Sequence, residues 1–263
     1  MFTWRHILWL LICLIATLAI VYAYGRKRPP LSKVLTCALT VSVLSELVKI
    51  AGTIEMVPSA GGSLLLPYLP TNHLPLHFCS IQVILIAFTR FTANTQRRET
   101  VLAFMYPTCV IGAAAALLMP SIFTTSISVE QAFTSPVSYQ FFVFHTMLLA
   151  LGIIIVRSGE IQWKKRHFTN TLLLVYLLGF LSIYLNSMLA SPTYVDGELK
   201  SVDFWTNFFF TYQNPLGIQL TSLWQWFVYL LILSALAAVL LYLFYRPLIR
   251  GKNAAGMKAK SRR

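Results

Sequence analysis

Seven times along this chain, a run of mainly Leu, Ile, Val, Ala and Phe is closed off by a short polar, proline-rich or basic break. A helix rising 1.5 Å per residue needs about 20 apolar residues to cross the hydrocarbon core of a bilayer, and inside that core each backbone N–H and C=O must find its partner within the segment. The runs therefore predict seven transmembrane helices over residues 7–24, 34–57, 75–91, 101–118, 138–156, 168–190 and 224–245. Only 11% of the residues are charged and 57% are hydrophobic, where soluble domains are about a quarter charged, so a water-soluble fold is set aside. The expected fold class is an all-α polytopic membrane helix bundle. A single transmembrane domain is expected over residues 1–250, followed by a basic tail, 251–263, expected to be disordered. The first run lacks a small-residue cleavage site and is followed by Arg26, Lys27 and Arg28, which reads as a retained helix rather than a signal peptide.

The basic residues orient the bundle. Arg26, Lys27, Arg28 and Lys33, then Arg90, Arg97 and Arg98, then Arg157, Lys164, Lys165 and Arg166 fall in alternate loops, and seven more lie from Arg246 to Arg263. These are 18 of the 21 Lys and Arg residues, against Arg5 and Lys200 on the other side and Lys49 within a helix. By the positive-inside rule the rich side is cytoplasmic, with the N-terminus outside and the C-terminus inside. This interspersed pattern is that of juxtamembrane loops, so the net charge of +13 points to no nucleic-acid partner. Trp4, Trp9, Trp205, Trp224, Trp226, Tyr242 and Tyr245 are expected in interfacial belts, and the nearly apolar first helix is expected to face lipid. Pro107 is expected to kink the fourth helix. The longest aqueous segment, from Ser191 to about Leu223, reads equally as a lid or a connector.

Polar groups within hydrocarbon face the bundle interior and are functional candidates by default. Ser42, Glu46, Lys49 and Thr53 share one face of the second helix, and Glu46 with Lys49 at i, i+3 reads first as an internal ion pair. Cys13, Cys37, Cys79 and Cys109 fall in different predicted helices with no CxxC pair, which points to neither a disulfide framework nor a zinc site. The third helix, opening with Pro75 in its first turn, carries His77, Cys79, Ser80 and Gln82. Helical spacing puts His77 and Cys79 about 160° apart, so a base for Cys79 is sought on another helix. His145 in the aromatic run of the fifth helix is that candidate. With both helices starting at the exterior, Cys79 and His145 lie about 6 to 11 Å below the outer surface, and Asn186 and Gln225 reach similar depth. A thiol beside an imidazole can attack a carbonyl and form a thioester.

The stretch Leu74-Pro75-Leu76-His77-Phe78-Cys79-Ser80 together with Phe144-His145 resembles the bacterial YwaF-like integral membrane family. That family looks related to eukaryotic transmembrane protein 164, a cysteine-dependent phospholipid acyltransferase, and more distantly to the androgen-induced gene 1 type lipid-ester hydrolases. The resemblance covers the second helix to the seventh. It implies a nucleophile at Cys79 and an imidazole at His145, and Asn186-x-Met188-Leu189-x-x-Pro192 is similar to the family's segment ending the sixth helix. The sequence departs from it at Leu216-Gly217-Ile218-Gln219 and Trp224-Gln225-Trp226, where a compact Pro- and Trp-rich stretch is expected.

The expectation is thus a membrane-embedded acyltransferase or lipid-ester hydrolase acting on membrane lipids, with a phospholipid as acyl donor, no cofactor and no metal. Cys79 serves as nucleophile, His145 as base and then acid, and Asn186, Gln82 or Ser80 as oxyanion donor. A bacterial chain of this kind would reside in the plasma membrane. The competing reading is a transporter, channel or scaffold in which Glu46 and Lys49 line an ion path. The oligomeric state is left open.

Overall fold

The computed structural model describes all residues except Met1, Ala60, Gly61, Ser63, Thr124, Trp205, Leu216 and 261–263, with the backbone alone described for Asn72 and for 251–260. The expected belt position of Trp205 and all of the basic tail's side chains lie outside the described residues. The helices are α1 (Trp4–Lys27), α2 (Leu31–Thr53), α3 (Phe78–Phe91), α4 (Thr95–Leu118), α5 (Ser126–Glu130), α6 (Pro136–Ser158), α7 (Lys165–Met188) and α8 (Leu223–Lys260). Two antiparallel hairpins join them, β1 (Glu55–Pro58) with β2 (Leu65–Tyr68) and β3 (Ser191–Val195) with β4 (Glu198–Asp203). Six helices, all but α3 and α5, are long and apolar enough to cross a membrane. The polytopic all-α bundle expected from the apolar runs is therefore the fold.

The ends of these helices follow from local chemistry. The Thr3 hydroxyl accepts from the His6 N–H and the Asn94 side chain from the Arg97 N–H, satisfying donors that a helix N-terminus leaves without partners. Pro136 opens α6, where its missing N–H costs nothing, and Gly159 closes it at φ 73°, a left-handed conformation that suits glycine. Helix α2 stops at Thr53, short of the expected 57, because Glu55–Pro58 pairs with Leu65–Tyr68 instead. Pro107 lies inside α4, which runs through it.

Helix α3 departs most from expectation. It begins at Phe78, not Pro75, and has 14 residues, so it reaches about 21 Å and falls about 9 Å short of a bilayer core.

The chain forms two compact units, Met1–Gln162 and Trp163–Arg263. In the first, α6 packs against α1, α2 and α4, and α3 lies against α2 and α4. Leu117 near the end of α4 and Phe142 near the start of α6 share one buried cluster. A Cβ on Gly152 would come within 2.6 Å of Val110 Cγ2 and 3.0 Å of the Tyr106 carbonyl oxygen. The two helices are therefore antiparallel and in close approach. Small residues allow such contacts between membrane helices, where apolar lipid supplies no hydrophobic drive.

Trp9 does not sit in an interfacial belt. It is 5% exposed, stacks on Phe142 at 4.5 Å and on Phe133 at 5.2 Å, and donates its indole N–H to the Ala132 carbonyl at 2.9 Å. It lies on the stripe His6, Trp9, Cys13, Thr17 and Val21, which α1 buries, while Ile7, Leu11, Leu14, Ile15 and Leu18 stay exposed. Thus α1 offers lipid one face only. Trp9→Ala removes the stack and the hydrogen bond together, and about 3–5 kcal/mol of stability is expected to go with them. A lowered unfolding temperature of the purified protein in detergent would register it, and an unchanged one would show that Trp9 does not anchor α1.

In the second unit, Tyr245, also expected in a belt, is 1% exposed and its hydroxyl lies 2.7 Å from that of Thr171. Trp4, Trp224 and Tyr242 are exposed. The expected lid or connector after α7 is partly a hairpin. Its two-residue turn is Asp196-Gly197 with φ 53° and 81°, the positive-φ pair that matches the twist of antiparallel strands.

Candidate functional site

The approach to α3 sets the site. After a 3-10 turn over Thr71–His73, Leu74 precedes Pro75 and is held extended at φ −58°, ψ 144°, as the residue before a proline must be to avoid its Cδ. His77 caps the helix from an extended conformation, φ −75°, ψ 155°, so it stands outside the helix and the 160° separation expected from Cys79 does not hold. Cys79 is the second residue of α3 rather than one a full turn in. The first N–H groups of a helix have no intrahelical partner. The Ile81 N–H reaches the His77 carbonyl at 3.0 Å, and those of Cys79 and Ser80 have no backbone partner among the described residues.

Neighbouring helices fix the depth of the thiol. A Cβ on Gly112 of α4 would lie 3.4 Å from Cys79 Sγ. One turn further along α3, the Gln82 amide donates to Thr108 Oγ1 at 3.0 Å and its oxygen accepts from the Cys109 thiol at 3.3 Å. His145 precedes Gly152 by seven residues, about 10 Å along α6. In an antiparallel pair with Gly152 opposite Tyr106–Val110, this carries His145 to the level of about residue 115 of α4. It therefore lies within about one turn of Gly112, and so of Cys79, along the bundle.

His145 is 7% exposed and packs against Phe141, with ring centroids 4.2 Å apart. Its Nδ1 lies 2.6 Å from the Phe141 carbonyl. Since that oxygen only accepts, Nδ1 carries the proton and, in the neutral ring, Nε2 keeps the lone pair. His77 lies within electrostatic range of His145. The Cys79 thiol makes no hydrogen bond among the described residues, to His145 or otherwise.

The other three thiols differ from it. Cys109 is fully buried and donates to Gln82, Cys13 is buried 4.0 Å from the Phe142 carbonyl, and Cys37 is exposed on α2. Cys79 alone combines partial burial with the first turn of a helix and a glycine opposite.

On α2, Ser42 is fully buried and bonds to its own helix at Ala38, Ser45 accepts from Gln140 Nε2 at 2.6 Å, and Glu46 pairs with Lys49 at 2.6 Å. His73, in the loop between α2 and α3, feels Lys49 and Glu55. Burial pushes its imidazole below the usual range, Lys49 pushes it lower, and Glu55 opposes them, so it stays neutral near neutral pH.

The expected oxyanion donors are arranged differently from one another. Gln82 is committed to Thr108, to the Phe78 carbonyl at 3.3 Å and to the Cys109 thiol. Asn186, in the second unit, donates to the Phe208 carbonyl and Thr211 Oγ1 and accepts from the Phe208 N–H, which fastens the turn after β4. Gln225 accepts from Thr221. Ser80 is half-buried beside Cys79. Among the described residues no three His, Cys, Asp or Glu side chains gather as metal ligands.

Two features escaped the sequence reading. His6 is fully buried, with Nε2 2.8 Å from the Leu117 carbonyl, and a single histidine near the N-terminus carries no periodic signal. The run Gly112-Ala113-Ala114-Ala115-Ala116 did carry one, since small residues mark the faces on which membrane helices approach closely.

Six helices long and apolar enough to cross a membrane among the described residues define a multi-pass integral membrane protein. Residues 1–245 match the TMEM164 family, and the chain belongs to that family. The match takes in the first helix as well as the expected second to seventh. Neither a curated protein nor a solved structure matches the chain.

Proposed function

We propose that the protein is an intramembrane acyltransferase or lipid-ester hydrolase in which Cys79 is the nucleophile and His145 the general base. One observation carries this reading: Cys79 occupies the first turn of α3, beside N–H groups that have no backbone partner among the described residues, and within about one turn of His145 along the bundle. Nε2 takes the thiol proton as sulfur attacks the ester carbonyl of a phospholipid. The oxyanion that forms is met by the N–H groups of Cys79 and Ser80, which lie where the positive end of the helix favours negative charge. The Ser80 hydroxyl is the next donor, ahead of Gln82 and Asn186, whose amides are committed elsewhere. The lysolipid oxygen leaves with the proton from His145, and an acyl thioester remains on sulfur. Attack by an acceptor hydroxyl or by water, deprotonated by His145, frees the thiol. The thiol and imidazole are not hydrogen-bonded in the free protein, and such catalytic bonds commonly tighten only with substrate in place.

With α3 counted as a seventh crossing, the positive-inside rule favours an N-terminus outside and a C-terminus in the cytoplasm, and a bacterial protein of this kind would reside in the plasma membrane. Cys79 then lies six residues, about 9 Å, below the outer end of α4, within the outer leaflet. Non-helical backbone at this depth is tolerated where it lines protein or water, so the turn over residues 74–77, with the Leu76 N–H on the Leu74 carbonyl at 2.8 Å, offers the second substrate an approach. The ion pair of Glu46 and Lys49 closes within one turn of a single helix, which supports a packing role over an ion path.

The intermediate tests the proposal. Incubation with a phospholipid bearing a fluorescent sn-2 acyl chain is expected to leave label on the protein that hydroxylamine removes and that maps to Cys79. Label on Cys13, Cys37 or Cys109 instead, or none under conditions that support turnover, would refute a Cys79 thioester.

A further inference from the structure

Where α1 ends, α2 begins and α6 ends, a cavity of about 530 Å³ opens in the first unit, lined among others by Tyr24, Arg28, Leu31, Arg157 and Glu160. Its one acidic residue is already spent: the Glu160 carboxylate is paired with Arg98, which also donates to the Thr89 carbonyl at 3.0 Å. Arg28 and Arg157 form no ion pair or side-chain hydrogen bond among the described residues. Two guanidinium groups with no ion-pair partner among the described residues therefore line one cavity. Nearby, Arg26 lies over the Tyr22 ring at 6.0 Å, and Glu99 accepts from the Gln162 N–H.

The backbone adds to this. Arg28 closes α1 at φ 41°, ψ 52°, a left-handed position that glycine fills without strain. An arginine held there places its charge at the cavity at the expense of local backbone comfort. The start of α2, capped by Pro30 without a side-chain acceptor, brings further positive potential to the same rim.

We infer that this cavity is an anion site for a phosphate or phosphodiester group, gripped by Arg28 and Arg157. Arginine suits that chemistry because its planar fork donates two parallel hydrogen bonds to two phosphate oxygens. Basic pockets between helix ends at a membrane face are matched to anionic lipid headgroups, and free inorganic phosphate presents the same oxygens. The site is separate from Cys79 and does not depend on the reading of that residue.

The test uses the full-length protein in detergent and three soluble probes: dihexanoyl phosphatidylglycerol, dihexanoyl phosphatidylcholine and inorganic phosphate. The phosphatidylglycerol is expected to bind about tenfold more tightly than the phosphatidylcholine. Arg28→Gly and Arg157→Gln are each expected to weaken it about five- to tenfold, with Arg157→Lys falling between and Lys33→Gln within twofold of wild type. Arg28→Gly relieves the positive φ, so its folding should not suffer. Binding that millimolar phosphate does not displace identifies a lipid headgroup, whereas displacement identifies the phosphate group as sufficient, and either upholds the site. Unchanged binding in both arginine variants, equal affinity for the two lipids, or an equal loss in Lys33→Gln would overturn it.

Discussion

Cys79→Ala is expected to reduce acyl exchange on phospholipids to the uncatalysed background, and His145→Ala to lower it about 10²- to 10⁴-fold, the usual contribution of a positioned general base. The two losses should not add: without the thiol the imidazole has no proton to take, so the double variant should match Cys79→Ala. Neither change should unfold the protein. Cys79 is half-buried with a glycine opposite, and removing one sulfur there deletes no hydrogen bond. His145 gives up one bond to a carbonyl of its own helix, which the helix can spare. Full activity in Cys79→Ala, in a sample whose melting temperature matches wild type, would remove the cysteine mechanism altogether.

Gly152→Ala is the second large effect, on stability. The new Cβ would meet Val110 Cγ2 at 2.6 Å, the Tyr106 carbonyl oxygen at 3.0 Å and Cys109 Cβ at 3.2 Å. Valine is stiff at χ1, and the other two contacts are backbone or next to it, so α4 and α6 must move apart. Overpacking of this kind costs about 1–3 kcal/mol. Gly179→Ala, where nothing lies within 4 Å, should leave stability equal or raise it by about 0.5–1 kcal/mol, since alanine is the better helix former. Because α4 carries Gly112 and α6 carries His145, Gly152→Ala should also misalign the thiol and imidazole and cost activity. A variant as stable as wild type would show that the two helices do not approach as closely as described.

Most of the bundle was legible in the sequence, since a bilayer demands long apolar runs and tolerates little else. What escaped was decided at short range. The third helix loses its first turn because the Leu76 N–H turns back onto the Leu74 carbonyl at 2.8 Å and His77 is extended, local geometry that the apolar pattern does not register. The belt assignments of Trp9 and Tyr245 failed because position near a helix end does not say which way a ring points; Trp9 turns inward to stack on Phe142. The hairpin after α7 was signalled by Asp196-Gly197 and passed over in a stretch read only for its polarity. At the site, depth along each helix could be counted from the sequence, while the N–H groups beside Cys79 depended on where α3 starts.

The shortness of α3 also bears on the surrounding lipid. Ile84, Phe88 and Phe91 are exposed along it, so acyl chains meet a hydrophobic surface about 9 Å shorter than the core they come from. Such a mismatch is relieved by thinning the adjacent leaflet. Thinning on the side where α3 starts would sink the glycerol backbones of neighbouring phospholipids, and the ester groups they carry, toward the depth of the sulfur. On the proposed function, the protein would then bring its substrate down to the site by reshaping the solvent around it, and its rate should depend on bilayer thickness.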